Sequence, residues 1–176
     1  MSSAITASLP GPEKYDLANV KEGSFSLHSL KEAQSLSQLL ATLSPEHPDL
    51  QLGLLELLVN GIEHGNLGIT FNEKGELLKN GTWQAEIERR LNLKKYCHKK
   101  VRIEFKRTKK QIKFTIEDEG AGFDSDKYIA DPPENGTTAP STCLHGRGIK
   151  LANQLCFDHL KYLGTGSKVT ATINLS

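Results

Sequence analysis

The segment from Asp49 to His64 constrains the fold most, because it is apolar almost all the way round a helix. Four polar residues interrupt it: Glu56, Asn60, Glu63 and His64. At 3.6 residues per turn they fall within an arc of roughly 100°. Such a helix is normally buried, and burying a carboxylate or an amide without partners costs several kcal/mol. The polar stripe is therefore either the solvent-facing edge of an amphipathic helix or the lining of a pocket.

Two segments with alternating apolar residues predict a pair of antiparallel strands. Apolar residues occupy positions 101, 103 and 105 and then 112, 114 and 116, a pattern typical of a sheet covered on one face. Asp118 continues the inward parity of the second strand. An ionised aspartate only accepts hydrogen bonds, so Asp118 suits an exocyclic amino group such as that of adenine. Gly120 and Gly122 would let the backbone approach a ligand closely, although the segment is also compatible with a simple turn.

A third feature is the pair Gly146 and Gly148, which opens a helix predicted over 148–156. The N-terminus of a helix offers free N–H groups and the positive end of the dipole to phosphate. Arg147, between the two glycines, adds a charge for the same purpose. This pattern alone is a weak indication.

The start of the chain predicts a leader and then a strand and a helix. Residues 1–23 are rich in Ser, Pro and Gly and are expected to be flexible. The alternation at 24–29 predicts a short strand. Ser29 and Glu32 have the spacing of a capping box, which starts a helix.

The remaining segments complete an α+β fold. We expect a turn-rich excursion at 71–81, a short amphipathic helix within 82–97 and a mobile loop at 123–145. Strands are predicted at 157–163 and 168–175, joined by a glycine turn. The predicted fold is a two-layer α/β sandwich over residues 24–176, with a mixed, mostly antiparallel sheet and helices on one face.

Length and composition favour one cytoplasmic domain. A chain of 176 residues holds one domain with a real core. No run approaches the ~18 apolar residues that span a bilayer, and the start lacks the pattern of an export signal. Three cysteines without CxxC spacing fit a reducing compartment. A net charge of +1 argues neither for nor against nucleic acid, and we expect neither a nucleic-acid nor a membrane partner.

Three further features each have two interpretations. The lysines and arginines between 94 and 113 form either a solvated sheet edge or a docking face for an acidic protein. His64 would touch phosphate or Glu56, or would be satisfied by the backbone at the end of the helix. Trp83 is expected to serve packing.

Four segments occur in an order that resembles a known family. ELLVNGIEHGN (56–66), DEGAGFD (118–124), HGRGI (145–149) and GTGSKV (164–169) resemble the boxes of the gyrase, chaperone, histidine-kinase and mismatch-repair ATPases, which share the Bergerat ATP-binding fold. The resemblance covers roughly 24–175. It is closest to the bacterial anti-sigma-factor serine kinases and to related ATPase domains appended to receiver or phosphatase modules.

The resemblance implies roles in binding ATP and Mg²⁺. Glu56 would be the general base for the attacking hydroxyl group, and Asn60 would coordinate Mg²⁺. Asp118 would accept from the adenine amino group, with Gly120 and Gly122 shaping that wall.

The later boxes are implied to hold the phosphates and to close the site. Gly146 and Gly148 would lie against the phosphates, with Arg147 between them. The segment 123–145 would be the ATP lid, and Thr165 would support the adenine side.

One departure from the family bears on activity. Several of these kinases carry an arginine two residues before the first glycine of the last phosphate box, where Leu144 stands here. The first hypothesis is an ATP-dependent serine/threonine kinase of the anti-sigma type in bacterial signalling, with a STAS-class antagonist as substrate and a sigma factor and a homodimer as further associations. The second is an ATP-gated binding module without kinase activity. A histidine-kinase catalytic domain fits less well, since the chain shows no helical hairpin with a phospho-acceptor histidine.

Overall fold

A sheet of six strands and a layer of helices form the described part of the chain. The computed structural model describes the backbone of residues 4–8 and all of residues 16–122 and 156–175. The strands are β1 Ala4–Ser8, β2 Glu22–Leu27, β3 Val101–Arg107, β4 Gln111–Glu117, β5 His159–Leu163 and β6 Lys168–Asn174. The helices are α1 Leu30–Ala41, α2 Leu50–Asn60, a π-helix Gly61–Asn66, α3 Phe71–Lys79 and α4 Trp83–Leu91.

The sheet has the order β1-β2-β3-β4-β6-β5. β1 runs parallel to β2, and every other neighbouring pair is antiparallel. Phe105 lies opposite Phe114, and Ile116 lies opposite Val169. This confirms the predicted antiparallel pair and the mostly antiparallel sheet.

One face of the sheet is buried and the other is polar. Alternate residues of β2, β3, β4 and β6 lie in a core shared with α1 and α2. The residues between them include the exposed cations Arg102, Lys106 and Lys113. Period-two burial of this kind requires helices on only one side. The described ranges therefore form a two-layer α+β sandwich, as predicted.

The predicted capping box begins α1. The Ser29 side chain accepts from the Glu32 N–H, and the Glu32 carboxylate accepts from the Ser29 N–H. Two donors that a helix start leaves unpaired are thereby satisfied. α1 then buries Ala33, Leu36 and Leu40 completely.

The ordered fold begins earlier than the sequence predicts. β1 lies within the segment expected to be a flexible leader, where it adds an edge strand to the sheet. Leu17 and Val20 also belong to the core. The Ser, Pro and Gly residues of this segment favour a flexible leader, so its partners in the sheet and the core, rather than its own composition, explain its structure.

The excursion at 71–81 is helical, so the prediction of a turn-rich segment is wrong. Thr70 and Glu73 form a second capping box at the start of α3. α4 confirms the predicted amphipathic helix, with Ile87 buried. α3, α4 and the turn between them are called the α3–α4 hairpin below. Within the described ranges, no helix is both long enough and apolar enough to cross a bilayer.

Candidate functional site

The centre of the candidate site is the π-helix that continues α2. The predicted helix over 49–64 is α-helical only to Asn60. After Asn60 it continues as a π-helix, in which each backbone hydrogen bond spans five residues instead of four. The N–H of Leu67 accordingly donates to the carbonyl of Ile62 at 2.9 Å. Short π-helices often occur at functional sites. Glu63 and His64 remain neighbours on this helix, with the Nε2 atom of His64 3.9 Å from Oε2 of Glu63.

Asn60 and His64 line a cavity between the helices and the end of the sheet. The Nδ2 atom of Asn60 and the Nε2 atom of His64 are buried, and neither has a hydrogen-bond partner among the described residues. The Nδ1–H of His64 donates to the carbonyl of Ile69 at 2.5 Å. A neutral imidazole with this bond presents a lone pair at Nε2. Burial lowers the pKa of His64. The buried atoms leave two polar positions open to a ligand in this cavity.

Glu63 lies outside the cavity, although the spacing placed it on the same stripe as Asn60 and His64. Its side chain is fully buried. Lys74 Nζ donates to Oε2 at 2.5 Å, and Trp83 Nε1 donates to Oε1. Trp83 therefore donates a hydrogen bond to a buried carboxylate in addition to packing against the core.

Asp118 lies at the end of β4 and lines the same cavity. Its N–H donates to the carbonyl of Ser167 at 2.9 Å, and its Oδ1 accepts from the Gly120 N–H at 2.8 Å. Burial raises the pKa of Asp118 to about 6, against the lowering effects of the Gly120 bond and the charge of Lys99. A carboxylate so desolvated gains from a hydrogen-bond donor on a ligand.

Glycines make room around this carboxyl group. A Cβ atom at Gly65 would overlap the Asp118 carboxyl group, and one at Gly120 would overlap the backbone of Gly65. Gly122 has a φ of 80° and lies against the carbonyl of Thr165. These glycines therefore allow close packing of the protein's own backbone here, while the predicted approach of the backbone to a ligand stays a prediction.

The other walls of the cavity are apolar and aromatic. They come from α2, α3, β4, β5 and β6, and they comprise Leu57, Phe71, Ile116, Tyr162 and Val169. The Phe71 ring lies 4.1 Å from the His64 ring, centroid to centroid, at an interplanar angle of 37°. Burial raises the pKa of Tyr162. A pocket of apolar walls with a few converging polar groups is typical of a small-molecule site.

The structure brings together some of the predicted site residues. Asn60, Asp118 and Gly122 line the cavity, and Gly120 packs beside it on Gly65. Glu56 is half-buried on α2 and does not line the cavity within the described ranges.

The remaining predicted residues either do not line the described part of the cavity or lie outside the described residues. Thr165 is exposed, and its backbone meets Gly122. Gly146, Arg147 and Gly148 lie outside the described residues, as do the predicted lid at 123–145 and nearly all of the helix predicted at 148–156.

Sequence reasoning missed Gly65, Phe71 and Tyr162 as members of the site. Phe71 directly follows Thr70, the N-cap residue of α3, whose Thr-x-x-Glu capping box was the available signal. Tyr162 has no signal of its own beyond its place before the glycine turn.

No group of three or more His, Cys, Asp or Glu side chains is placed to hold a metal ion within 16–122 and 156–175. No protein-family model matches the chain, and no curated protein matches it.

Proposed function

We propose that the chain binds Mg·ATP in the cavity between α2, the π-helix and β4, as a domain of the Bergerat type. The observation that carries the proposal is Asp118, whose desolvated carboxylate, at the end of a strand, lies against Gly65 and accepts from the Gly120 N–H. The order of the four sequence boxes supports the same conclusion.

The lining of the cavity suits an adenine ring. Apolar walls such as Ile116 and Val169 favour a flat heteroaromatic group. The Asp118 carboxylate accepts a hydrogen bond, and adenine offers an amino group where guanine offers a carbonyl oxygen. Placing guanine there would leave two acceptors facing each other, which costs on the order of a few kcal/mol.

Asn60 suits the polar part of the ligand, whereas the lone pair at Nε2 of a neutral His64 accepts from a donor and does not suit a phosphate oxygen. Mg²⁺ is commonly held by one or two protein oxygens together with phosphate oxygens and water. The amide oxygen of Asn60 would be such a ligand, and its Nδ2, which has no partner among the described residues, would donate to a phosphate. Gly146, Arg147 and Gly148 are assigned to the phosphates on the resemblance alone.

The proposed activity is phosphorylation of a serine or threonine on a STAS-class partner. The hydroxyl oxygen attacks the γ-phosphorus of ATP, the bond to the ADP oxygen breaks, and the hydroxyl proton passes to Glu56. Asn60 would hold Mg²⁺, which would supply charge neutralisation on the phosphates, and the residues of the site would act chiefly by positioning. A sigma factor is proposed as a further partner in the same pathway.

The alternative is an ATP-gated binding module without transfer. Two observations favour it. Glu56 does not line the described part of the cavity, and Leu144 stands where several kinases have an arginine. Both observations concern transfer and leave nucleotide binding unaffected.

Calorimetry with Mg·ATP and Mg·GTP tests the binding proposal. ATP should bind and GTP should bind much more weakly, and equal affinities would remove the role of Asp118. Mass spectrometry of candidate STAS proteins after incubation with Mg·ATP separates the two activities. A phosphorylated serine or threonine supports the kinase, whereas tight ATP binding without phosphorylation of any candidate supports the module.

A further inference from the structure

Glu63 is a fully buried carboxylate whose hydrogen-bond donors come from the α3–α4 hairpin. Lys74 on α3 binds one oxygen and Trp83 at the start of α4 binds the other. A buried carboxylate that loses its partners is strongly destabilising. Each partner therefore holds the hairpin against the π-helix at a fixed position.

The same hairpin forms one wall of the cavity. Phe71 is the first residue of α3 and packs on the His64 ring. Lys74 lies one turn further along the helix, so the ion pair with Glu63 and the ring contact with His64 act on the same end of α3. Any displacement of Lys74 would displace Phe71 as well.

Arg90 on α4 makes a third connection, which joins α3, α4 and the residue after the π-helix. Arg90 binds Glu73 on α3, Glu86 on its own helix at 2.7 Å, and the carbonyl of Leu67 at 3.0 Å. Leu67 directly follows the π-helix. The two helices of the hairpin and the end of the π-helix are thus joined by one guanidinium group, whose planar donors suit several acceptors at once.

His64 itself depends on the segment between the π-helix and the hairpin. Its Nδ1–H donates to the carbonyl of Ile69, two residues before Phe71. Because the hairpin fixes both ends of this segment, it also fixes the direction in which Nε2 points.

We propose that Glu63 is a positioning residue of the nucleotide site. By anchoring the hairpin to the π-helix it sets the Phe71 wall and the orientation of His64, so the segment 67–100 is an integral part of the ligand site. This inference rests on the proposed binding of ATP. The hairpin acts through Phe71 and His64, and Glu63 does not touch the ligand.

Trp83 provides the readout, because it is the only tryptophan in the chain. Its indole N–H lies on the Glu63 carboxylate, so its fluorescence reports directly on the anchor. Loosening of the anchor should therefore shift the emission of Trp83 in the ligand-free Glu63→Gln variant, whereas Lys79→Met should keep the wild-type emission. Wild-type emission in Glu63→Gln would show that the anchor is intact and would overturn the proposal.

Two variants test the anchor. Glu63→Gln keeps an acceptor for Trp83 but removes the charge that holds Lys74. Lys74→Met keeps the Glu63–Trp83 bond but leaves the buried carboxylate without its cation, so it should be the less stable variant. Glu63→Gln removes the buried charge, and the Lys74 that it releases is partly exposed, so this variant should fold even if Lys74→Met does not. Each variant should weaken Mg·ATP binding by about fivefold or more. Because the two residues form one ion pair, the double variant should lose less binding free energy than the two single variants lose together.

Lys79→Met is the matched control, since Lys79 pairs with Glu76 on the exposed side of the same helix. It should bind ATP as the wild type does, and an equal loss in this control would overturn the proposal. Normal affinity in both anchor variants, with only their melting temperatures lowered, would also overturn it. If the wild-type chain binds no adenine nucleotide, the proposed function fails and this inference fails with it. Wild-type binding with unaffected variants removes this inference alone.

Discussion

The Cα atom of Gly65 lies so close to the Asp118 carboxyl group that no side chain fits between them. Gly65→Ala would push a methyl group into both carboxyl oxygens. We expect it to destabilise the fold by about 1–3 kcal/mol and to abolish ATP binding, because Asp118 must move out of the cavity. Chemical denaturation and calorimetry measure the two effects.

Gly68→Ala is the control for this prediction. Gly68 has a φ of 62° and open space around its Cα atom. Alanine there should cost about 1 kcal/mol of stability through backbone strain and leave ATP affinity unchanged. If Gly65→Ala binds ATP normally, the cavity beside Asp118 is not the nucleotide site.

Asp118→Asn should separate stability from binding. The pKa of Asp118 is raised from 3.8 to about 6 by burial, so the folded state disfavours the ionised form. The contribution of this group to stability is present below pH 3.8 and is lost as the pH rises through about 6. At pH 7 the neutral amide should therefore stabilise the ligand-free protein by about 1 kcal/mol, after allowance for partial exposure, while ATP binds much more weakly.

Thermal unfolding at pH 4 and at pH 7 checks the sign of that effect. The gain of Asp118→Asn over the wild type should be smaller at pH 4, where the wild-type carboxyl group is mostly protonated. A gain that is equal at both pH values would show that ionisation of Asp118 is not its cause.

The affinity for ATP should fall as the pH drops through about 6. Below that value Asp118 is protonated in the free protein, and a protonated carboxyl group is a poorer acceptor for the adenine amino group. Calorimetric titrations between pH 5 and pH 8 measure the change. Asp118→Asn supplies the control, because any dependence that remains in this variant comes from the phosphates of ATP or from other groups.

Glu56 and Asn60 should divide transfer from binding. Glu56→Ala should still bind Mg·ATP, since Glu56 lies outside the described lining of the cavity. It should lose any phosphoryl transfer, because Glu56 is the proposed general base. Asn60→Ala should weaken the Mg²⁺-bound complex itself, because it removes the amide that faces the ligand. Titration of ATP with and without Mg²⁺ and a phosphorylation assay provide the measurements. If both variants bind and turn over as the wild type does, the two residues are ordinary parts of a helix.

The faces of the individual elements could be predicted from the sequence. Alternation of apolar residues predicted that β3 and β4 pair and that Asp118 points inward, because a strand places every second side chain on one face. The spacing of Ser29 and Glu32 predicted the start of α1. Such patterns need only the geometry of one element and its immediate neighbours.

The tertiary structure decided where Glu63 and Phe71 lie. A period of 3.6 residues placed Glu63 on one stripe with Asn60 and His64, but its carboxylate lies outside the cavity, where it accepts from Lys74 and Trp83. The partners of Glu63 stand 11 and 20 residues further along the chain, and no local pattern encodes a contact over that distance. The burial of one carboxylate, which requires partners from elsewhere, fixes the α3–α4 hairpin and with it a wall of the candidate site.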